Sequence, residues 1–385
     1  MGQYGYHYPP HEPSSSLPDP ERGRRIVGLV LYLLGMGLGA VLLLLLFFVL
    51  PALMGVGPHL SVAMLAGAIL AFPAALVYLT VPRLLDRYDP EPLYALVMAL
   101  LWGGVAACGV SAIVNTLVGE VLGDVVSTVV SAPLIEEAMK GILVLGYFWF
   151  LRREFDGVVD GIIYATFVAI GFAAVENVIY YANAGMESGG GAMLGTFVLR
   201  GVLTPWGHPL YTSMIGIGVG IARETDKTWV RWIAPPIGYG AAVFLHALWN
   251  GSAVGLGSLG APGLLIFVVS LILWFVFVVA FLAMVFGLVL RRGRIIRAHL
   301  VDEVALGHIT KAELELVASA FGGLRAYFRK GSAGVEFVRA VARLALSKWH
   351  SARAMRGNTR TVSMDFIAPL RKKIRELRAQ GASPA

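Results

Sequence analysis

Between Ile26 and Leu50 the chain carries no charged side chain and is apolar almost throughout. A helix of that length crosses the ~30 Å hydrocarbon core of a bilayer. Inside hydrocarbon each backbone N–H and C=O needs a partner within the protein, and a helix supplies it locally. The same kind of run recurs at about 60–81, 92–118, 126–151, 158–182, 196–222, 232–254 and 262–290. Composition agrees: 57% of residues are hydrophobic and 14% charged, where a soluble domain carries about 25% charged residues. The fold class expected is an all-α polytopic membrane protein of about eight transmembrane helices, followed by a small helical cytoplasmic C-terminal domain.

The connections between the runs alternate in charge. The N-terminal flank carries Arg22, Arg24 and Arg25, and the connection around Pro51–His59 has no Lys or Arg. Arg83 and Arg87 follow, then only Glu120 and Asp124, then Arg152 and Arg153, then only Glu187. Arg223, Lys227 and Arg231 form the sixth connection, the seventh has no charge, and Arg291, Arg292, Arg294 and Arg297 close the series. By the positive-inside rule this pattern puts both termini in the cytoplasm of a multi-pass plasma-membrane protein. The single cysteine, Cys108, rules out an internal disulfide and a cysteine-based zinc site, and its apolar surroundings make it a core residue.

The ends differ from the middle. Residues 1–25 read as a disordered cytoplasmic tail; Tyr4, Tyr6, His7, Tyr8 and His11 belong to a flexible polar segment rather than a metal site. No cleavable signal is evident after Arg24 and Arg25. Residues 291–385 read as a basic helical cytoplasmic domain, with apolar residues at helical spacing near 299–321, 333–350 and 364–379. That region holds about +12 of charge, leaving about −5 for the rest. The excess suits anionic lipid headgroups. Nucleic acid is not expected, because no recognition motif accompanies the charge.

Charge inside the runs is costly and therefore informative. A charged group at the bilayer centre costs at least ~2.5 kcal/mol on insertion scales. Yet Glu136, Glu137 and Lys140 sit within five positions of SAPLIEEAMKGILVLG. On a helix Lys140 neutralises one carboxylate from the next turn and leaves the other over. Further polar groups are Glu176 and Asn177, Arg200 and His208, and His246 and Asn250. Counted from the cytoplasmic flanks at ~1.5 Å per residue, Glu137, His208 and His246 each lie roughly 22 Å deep and Glu176 roughly 24 Å. Four helices thus carry ionisable groups at one depth, in the outer half of the bilayer, which points to a shared site.

Carboxylates and imidazoles there suit zinc with one position left for water, and Glu137, His208 and His246 are the candidate ligands. A metal-bound water ionises near neutral pH, with a neighbouring Glu as general base. In the metal-free alternative a Glu–His pair activates water directly. Asn250, one turn after His246, can donate to a developing oxyanion. Each residue also has a structural reading: Glu136–Lys140 as a buried ion pair, His208 satisfying backbone freed beside Pro205 and Pro209, Glu176–Asn177 as interhelical glue, Arg200 snorkelling to the interface.

The ordered set IEEAMK, FAAVEN, Arg200…His208 and HALWN resembles the PrsW family of bacterial intramembrane proteases, as do Asp86–Leu93, Leu100–Gly104 and Asp160-Gly161 upstream of or between these motifs. The resemblance covers about residues 80–255. That family is related to the CAAX prenyl endopeptidases and the Abi proteins, which share the double glutamate and the final His-x-x-x-Asn. Their middle histidine motif is replaced here by Glu176-Asn177, the PrsW form. The resemblance implies a peptidase domain over residues 26–290 that cuts single-pass membrane proteins, such as an anti-sigma factor, near the extracytoplasmic side. It casts Glu136 and Glu137 as activators of water, with His208 as partner or ligand and Glu176 as ligand or proton relay. His246 and Asn250 then polarise the scissile carbonyl, while Lys140, Asn177 and Arg200 balance charge or meet substrate. Two rivals remain from the residues alone: a proton-coupled carrier, which calls for symmetry between two halves, and a non-catalytic scaffold for partner helices.

Overall fold

A computed structural model describes residues 22–85, 88, 90–152, 154–356 and 362–385. The expected disordered tail, apart from its last residues, and its Tyr and His side chains lie outside the described residues, as do Asp86, Arg87, Asp89 and Arg153. Among the described residues the chain is helical and contains no strand. It forms two compact units, Arg24–Phe286 and Gly287–Ala385.

In the first unit, α1 (Arg22–Leu44) runs on through a π-helical turn at Leu45–Val49. A reversal with Gly55 at φ +76° leads to α2 (Gly57–Tyr78). Then α3 (Leu93–Leu101) and α4 (Cys108–Leu122) are joined by a π-helical stretch, Trp102–Ala107. A further π-helical turn, Ser127–Ser131, opens α5 (Ala132–Phe150). The long α6 (Val158–Phe197) is broken at Gly189, whose φ of 82° is the left-handed region that favours glycine. After the π-helical Val198–Leu203 come α7 (Gly207–Glu224), α8 (Thr228–Ser258) and α9 (Ala261–Ala305).

The protein is an all-α multi-pass membrane protein. Five helical stretches among the described residues are long and apolar enough to cross a bilayer: Arg22–Leu53, Gly57–Arg83, Leu93–Leu122, Val158–Glu224 and Ala261–Ala305. The 67-residue stretch takes in two of the runs expected from the sequence. Outside the five are α5, with its three charged residues, and α8, whose prolines, glycines, His246 and Asn250 lower its mean hydropathy. These two helices carry much of the chemistry.

The first half of α6 is the axis of the unit. Nearly every side chain from Val158 to Ala174 is buried, and α6 packs against α2, α3 and α7. α7 in turn lies between α6 and α8. Two small residues allow the α6–α7 contact: a Cβ at Gly161 would collide with the Gly216 carbonyl, and one at Gly216 with the Gly161 carbonyl. Close backbone approach through small residues is the usual way to pack helices where lipid removes the hydrophobic drive. By contrast α1 exposes Leu33, Leu34 and Val41, and the first part of α9 exposes Leu265 and Val279. For a protein whose solvent is hydrocarbon these are ordinary surface residues. The glycine-rich stretch 185–195 is helical on either side of the break at Gly189.

The second unit takes the end of α9, then α10 (Lys311–Ala318), α11 (Gly322–Arg356, broken at Gly331) and α12 (Ile367–Ala379). The helix expected near 299–321 is split by a new N-terminus. Thr310 Oγ1 accepts from the Glu313 N–H at 3.1 Å, and Glu313 Oε2 accepts from the Thr310 N–H at 2.6 Å, a capping box. Glu303, fully buried, ties three elements together. It accepts from Arg371 at 2.6 and 3.0 Å, from Lys348 at 2.8 Å, and is 2.7 Å from His308 Nδ1.

Candidate active site

α5 delivers Glu136, Glu137 and Lys140 to one buried spot. A helix places residues three and four apart on one face, and both acids reach the same ammonium. Lys140 Nζ lies 2.9 Å from Glu137 Oε1 and 3.6 Å from Glu136 Oε2. Its position is fixed from the other side by the Phe172 ring, 3.9 Å from centroid to Nζ. Trp102 donates its indole N–H to the Met139 carbonyl at 2.8 Å, so α5 is also anchored through its backbone.

The two glutamates are held differently. Glu137 has both oxygens occupied: Oε2 accepts from Thr212 Oγ1 at 2.7 Å, and Oε1 takes Lys140 and His246 Nδ1, the latter at 3.2 Å. Glu136 accepts from Asn115 Nδ2 on Oε1 at 3.3 Å, while its buried Oε2 has no hydrogen-bond partner. Its nearest cation is the Lys140 ammonium at 3.6 Å; a buried carboxylate oxygen without a hydrogen bond is expensive and marks a place where a ligand, proton or ion is wanted.

The histidine tautomers follow from their partners. An ammonium only donates, so His208 Nδ1, 2.9 Å from Lys140 Nζ, accepts and carries the lone pair. Its Nε2–H then donates to Glu176 Oε2 at 2.9 Å. His246 donates from Nδ1 to Glu137, which leaves the Nε2 lone pair 3.9 Å from Glu136 Oε2. Tyr211 stacks on His246 at 5.2 Å between centroids and 22°, fixing the ring plane. Arg200 clamps α6: Nη2 to Glu176 Oε2 at 2.5 Å and Nε to Asn177 Oδ1 at 2.9 Å, with the guanidinium 3.8 Å over the Tyr180 ring. Asn250, one turn beyond His246, donates to the Thr128 carbonyl at 2.9 Å. Three carboxyl groups thus face one ammonium and one guanidinium, with two imidazoles between them.

All nine polar residues singled out from the sequence therefore meet in one region. Glu136, Glu176, Asn177, Arg200, His208, His246 and Asn250 line a single cavity of about 620 Å³, while Glu137 and Lys140 lie behind it. Sequence reasoning missed Asn115, Thr212 and Ser131, which donates to Asn115 Oδ1 at 2.8 Å. The available signals were an amide inside an apolar run and a hydroxyl one turn after His208; neither is unusual enough to be singled out in one sequence.

The family model for PrsW family intramembrane metalloproteases matches residues 91–284. That segment contains every one of these residues.

The chain belongs to the PrsW family.

Among named relatives, Protease PrsW of Geobacillus kaustophilus is 28% identical over 172 residues, covering 43% of this chain and 69% of that protein. Protease PrsW of Bacillus subtilis is 28% identical over 151 residues, 38% of this chain and 65% of that protein, just under two thirds of its length. Protease PrsW of Clostridioides difficile is 32% identical over 100 residues, 25% of this chain and 42% of that protein. No solved structure matches the chain.

The PrsW family is described as metal-dependent, and the donor atoms support that chemistry. Among the described residues, one group offers ligand atoms all within 4.8 Å of one another: Glu136, His208 and His246. Expectation from the sequence had put Glu137 in this role, but both its oxygens are engaged in holding Lys140, Thr212 and His246. Two of the three donors, Glu136 Oε2 and His246 Nε2, are open and face each other. Ligands of a tetrahedral zinc lie about 3.4 Å apart, so their 3.9 Å separation closes with a small side-chain shift. The third, His208, must release Lys140 or Glu176 to bind.

Proposed function

We propose that this PrsW-family protein is an intramembrane endopeptidase that hydrolyses a peptide bond of a single-pass membrane protein near the extracytoplasmic side. The observation that carries the reading is that Glu136, whose buried Oε2 accepts no hydrogen bond, lines one cavity with His208, His246, Arg200 and Asn250. Without a metal, Glu136 is positioned to take a proton from water. Glu137 orients the His246 ring and keeps its Nε2 lone pair turned to the cavity, the arrangement by which a carboxylate behind a histidine fixes its tautomer. Glu176, itself held by Arg200, accepts the Nε2–H of His208. Asn250 stands on the cavity wall, where an amide can meet a developing oxyanion. A zinc ion held by Glu136, His208 and His246 would supply Lewis acidity and a water ionised near neutral pH. The anti-sigma factor implied by the family resemblance is the substrate of first choice.

The same reading assigns eight crossings and cytoplasmic termini from the alternation of Arg and Lys between helices. It also takes residues 26–290 as the peptidase domain. Co-expression with a panel of single-pass membrane reporters tests the function. The wild type is expected to release a shortened reporter, and Glu136→Gln and His246→Ala to leave it intact while remaining folded in the membrane. Intact reporters throughout, or equal cutting by the variants, would remove the reading.

A further inference from the structure

The second unit buries much of its apolar surface; Val301, Leu306, Met355 and Phe366 are exposed singly, and one segment gathers four exposed residues together. Phe337, Val341, Leu344 and Ala345 are fully buried, and the inward acids Glu303 and Glu313 are paired. Yet Phe321, Leu324, Tyr327 and Phe328 stand 54, 56, 57 and 79% exposed within eight positions. They lead into and occupy the first turns of α11, ahead of the break at Gly331, where φ is 59°. The helical period puts Phe321, Leu324 and Phe328 in one stripe, with Tyr327 beside it. The opposite face, marked by the fully buried Ala326, looks into the unit. Exposed Arg325 borders the stripe on one side and exposed Lys330 on the other.

A contiguous exposed aromatic patch marks an interaction surface. Aromatic residues rimmed by Arg and Lys are the composition of helices that lie in the membrane interface. Two facts favour lipid over a protein occupant. The unit is strongly basic, about +12 from Arg291 onward, which attracts an anionic leaflet and opposes pairing with a second copy. And α9, a helix long and apolar enough to cross the membrane, continues to Ala305, so a bilayer surface is always within reach of the chain that follows. The left-handed glycine at the end of the segment uncouples its helical turns from the rest of α11.

We propose that Phe321–Lys330 is a membrane-docking segment, which seats Phe321, Leu324 and Phe328 at the headgroup–acyl boundary of an anionic leaflet while Arg325 and Lys330 meet the phosphates. It rests on the membrane-spanning character of α9 and is independent of the proteolytic reading.

The test uses the full-length protein in nanodiscs, with one polarity-sensitive fluorophore attached at Phe328→Cys. The native cysteine, Cys108, is 3% exposed and does not compete for label. The same label at Lys311→Cys, an exposed position on α10, serves as control. In discs containing phosphatidylglycerol the label at position 328 is expected to brighten several-fold and to be quenched by spin-labelled acyl chains. In phosphatidylcholine alone the gain falls, and Arg325→Glu with Lys330→Glu abolishes it. The control stays water-exposed throughout. The proposal is overturned if position 328 reports water in both lipids. It is equally overturned if both positions are quenched together, or if brightening follows the number of copies per disc rather than lipid charge, which would identify a second copy as the occupant.

Discussion

Glu136 and Glu137 are neighbours in sequence, but the site treats them as different groups. Glu137 is a support, with every oxygen engaged, while Glu136 lines the cavity and keeps one oxygen free of hydrogen bonds. Conservative substitution separates the two roles. Glu136→Gln is expected to abolish cleavage, because an amide neither takes a proton from water nor serves as an anionic metal ligand, while His246 remains ordered. Glu137→Gln is expected to lower turnover by releasing the His246 tautomer, with Thr212 still bonded to the retained oxygen. Reporter cleavage rates for the two variants, with histidine NMR shifts, check the difference. Asn115 offers a finer test. It touches Glu136 Oε1 and neither histidine. Groups that orient a reactive carboxylate or ligand typically matter by about 10–100-fold. Asn115→Leu is therefore expected to lower the cleavage rate by about that factor with little loss of thermal stability; an unchanged rate would mean Glu136 needs no orientation.

At the level of helices, α6 and α7 stand or fall on their glycine contact. Gly216→Leu places a side chain against the Gly161 carbonyl, and overpacking of this kind costs about 1–3 kcal/mol. The separation of α6 from α7 would also pull Glu176 away from His208, so the variant is expected to lose thermal stability and activity together, as followed by melting in detergent. In the second unit, Arg371→Met removes two charge-assisted hydrogen bonds from the buried Glu303. Each such bond is worth about 1.5–3 kcal/mol, and Lys348 retains part of the pairing. The expected loss is about 2 kcal/mol, visible as faster amide exchange in α12 and the end of α9. The helices were legible in the sequence because hydrocarbon demands long apolar runs. Their interruptions were less so: the split at Thr310 is made by one threonine–glutamate pair, and the break at Gly189 sits in a stretch where several glycines compete for the role.

For the whole molecule, the convergence of Glu137, Glu176, His208 and His246 on one site was readable by counting residues, because a membrane gives helices a common ruler. What counting could not supply was rotation about each helix. Rotation decides that Glu136 rather than Glu137 opens to the cavity, and that Asn250 turns one N–H to Thr128. Nor could it bring in Asn115, which reaches the site from α4 with no charged residue within four positions of it. The positive-inside alternation predicts cytoplasmic termini, and impermeant labelling of single cysteines at residues 57 and 385 in intact cells is expected to modify the first alone. The central claim is that the open oxygen of Glu136, together with His208 and His246, forms the reacting centre. Its most direct test is cleavage of a single-pass reporter by purified protein in proteoliposomes, wild type against Glu136→Gln, with bound zinc measured on both. The account predicts cleavage by the wild type, none by the variant, and less zinc retained by the variant. Equal cleavage by both proteins would contradict it, whatever the metal content.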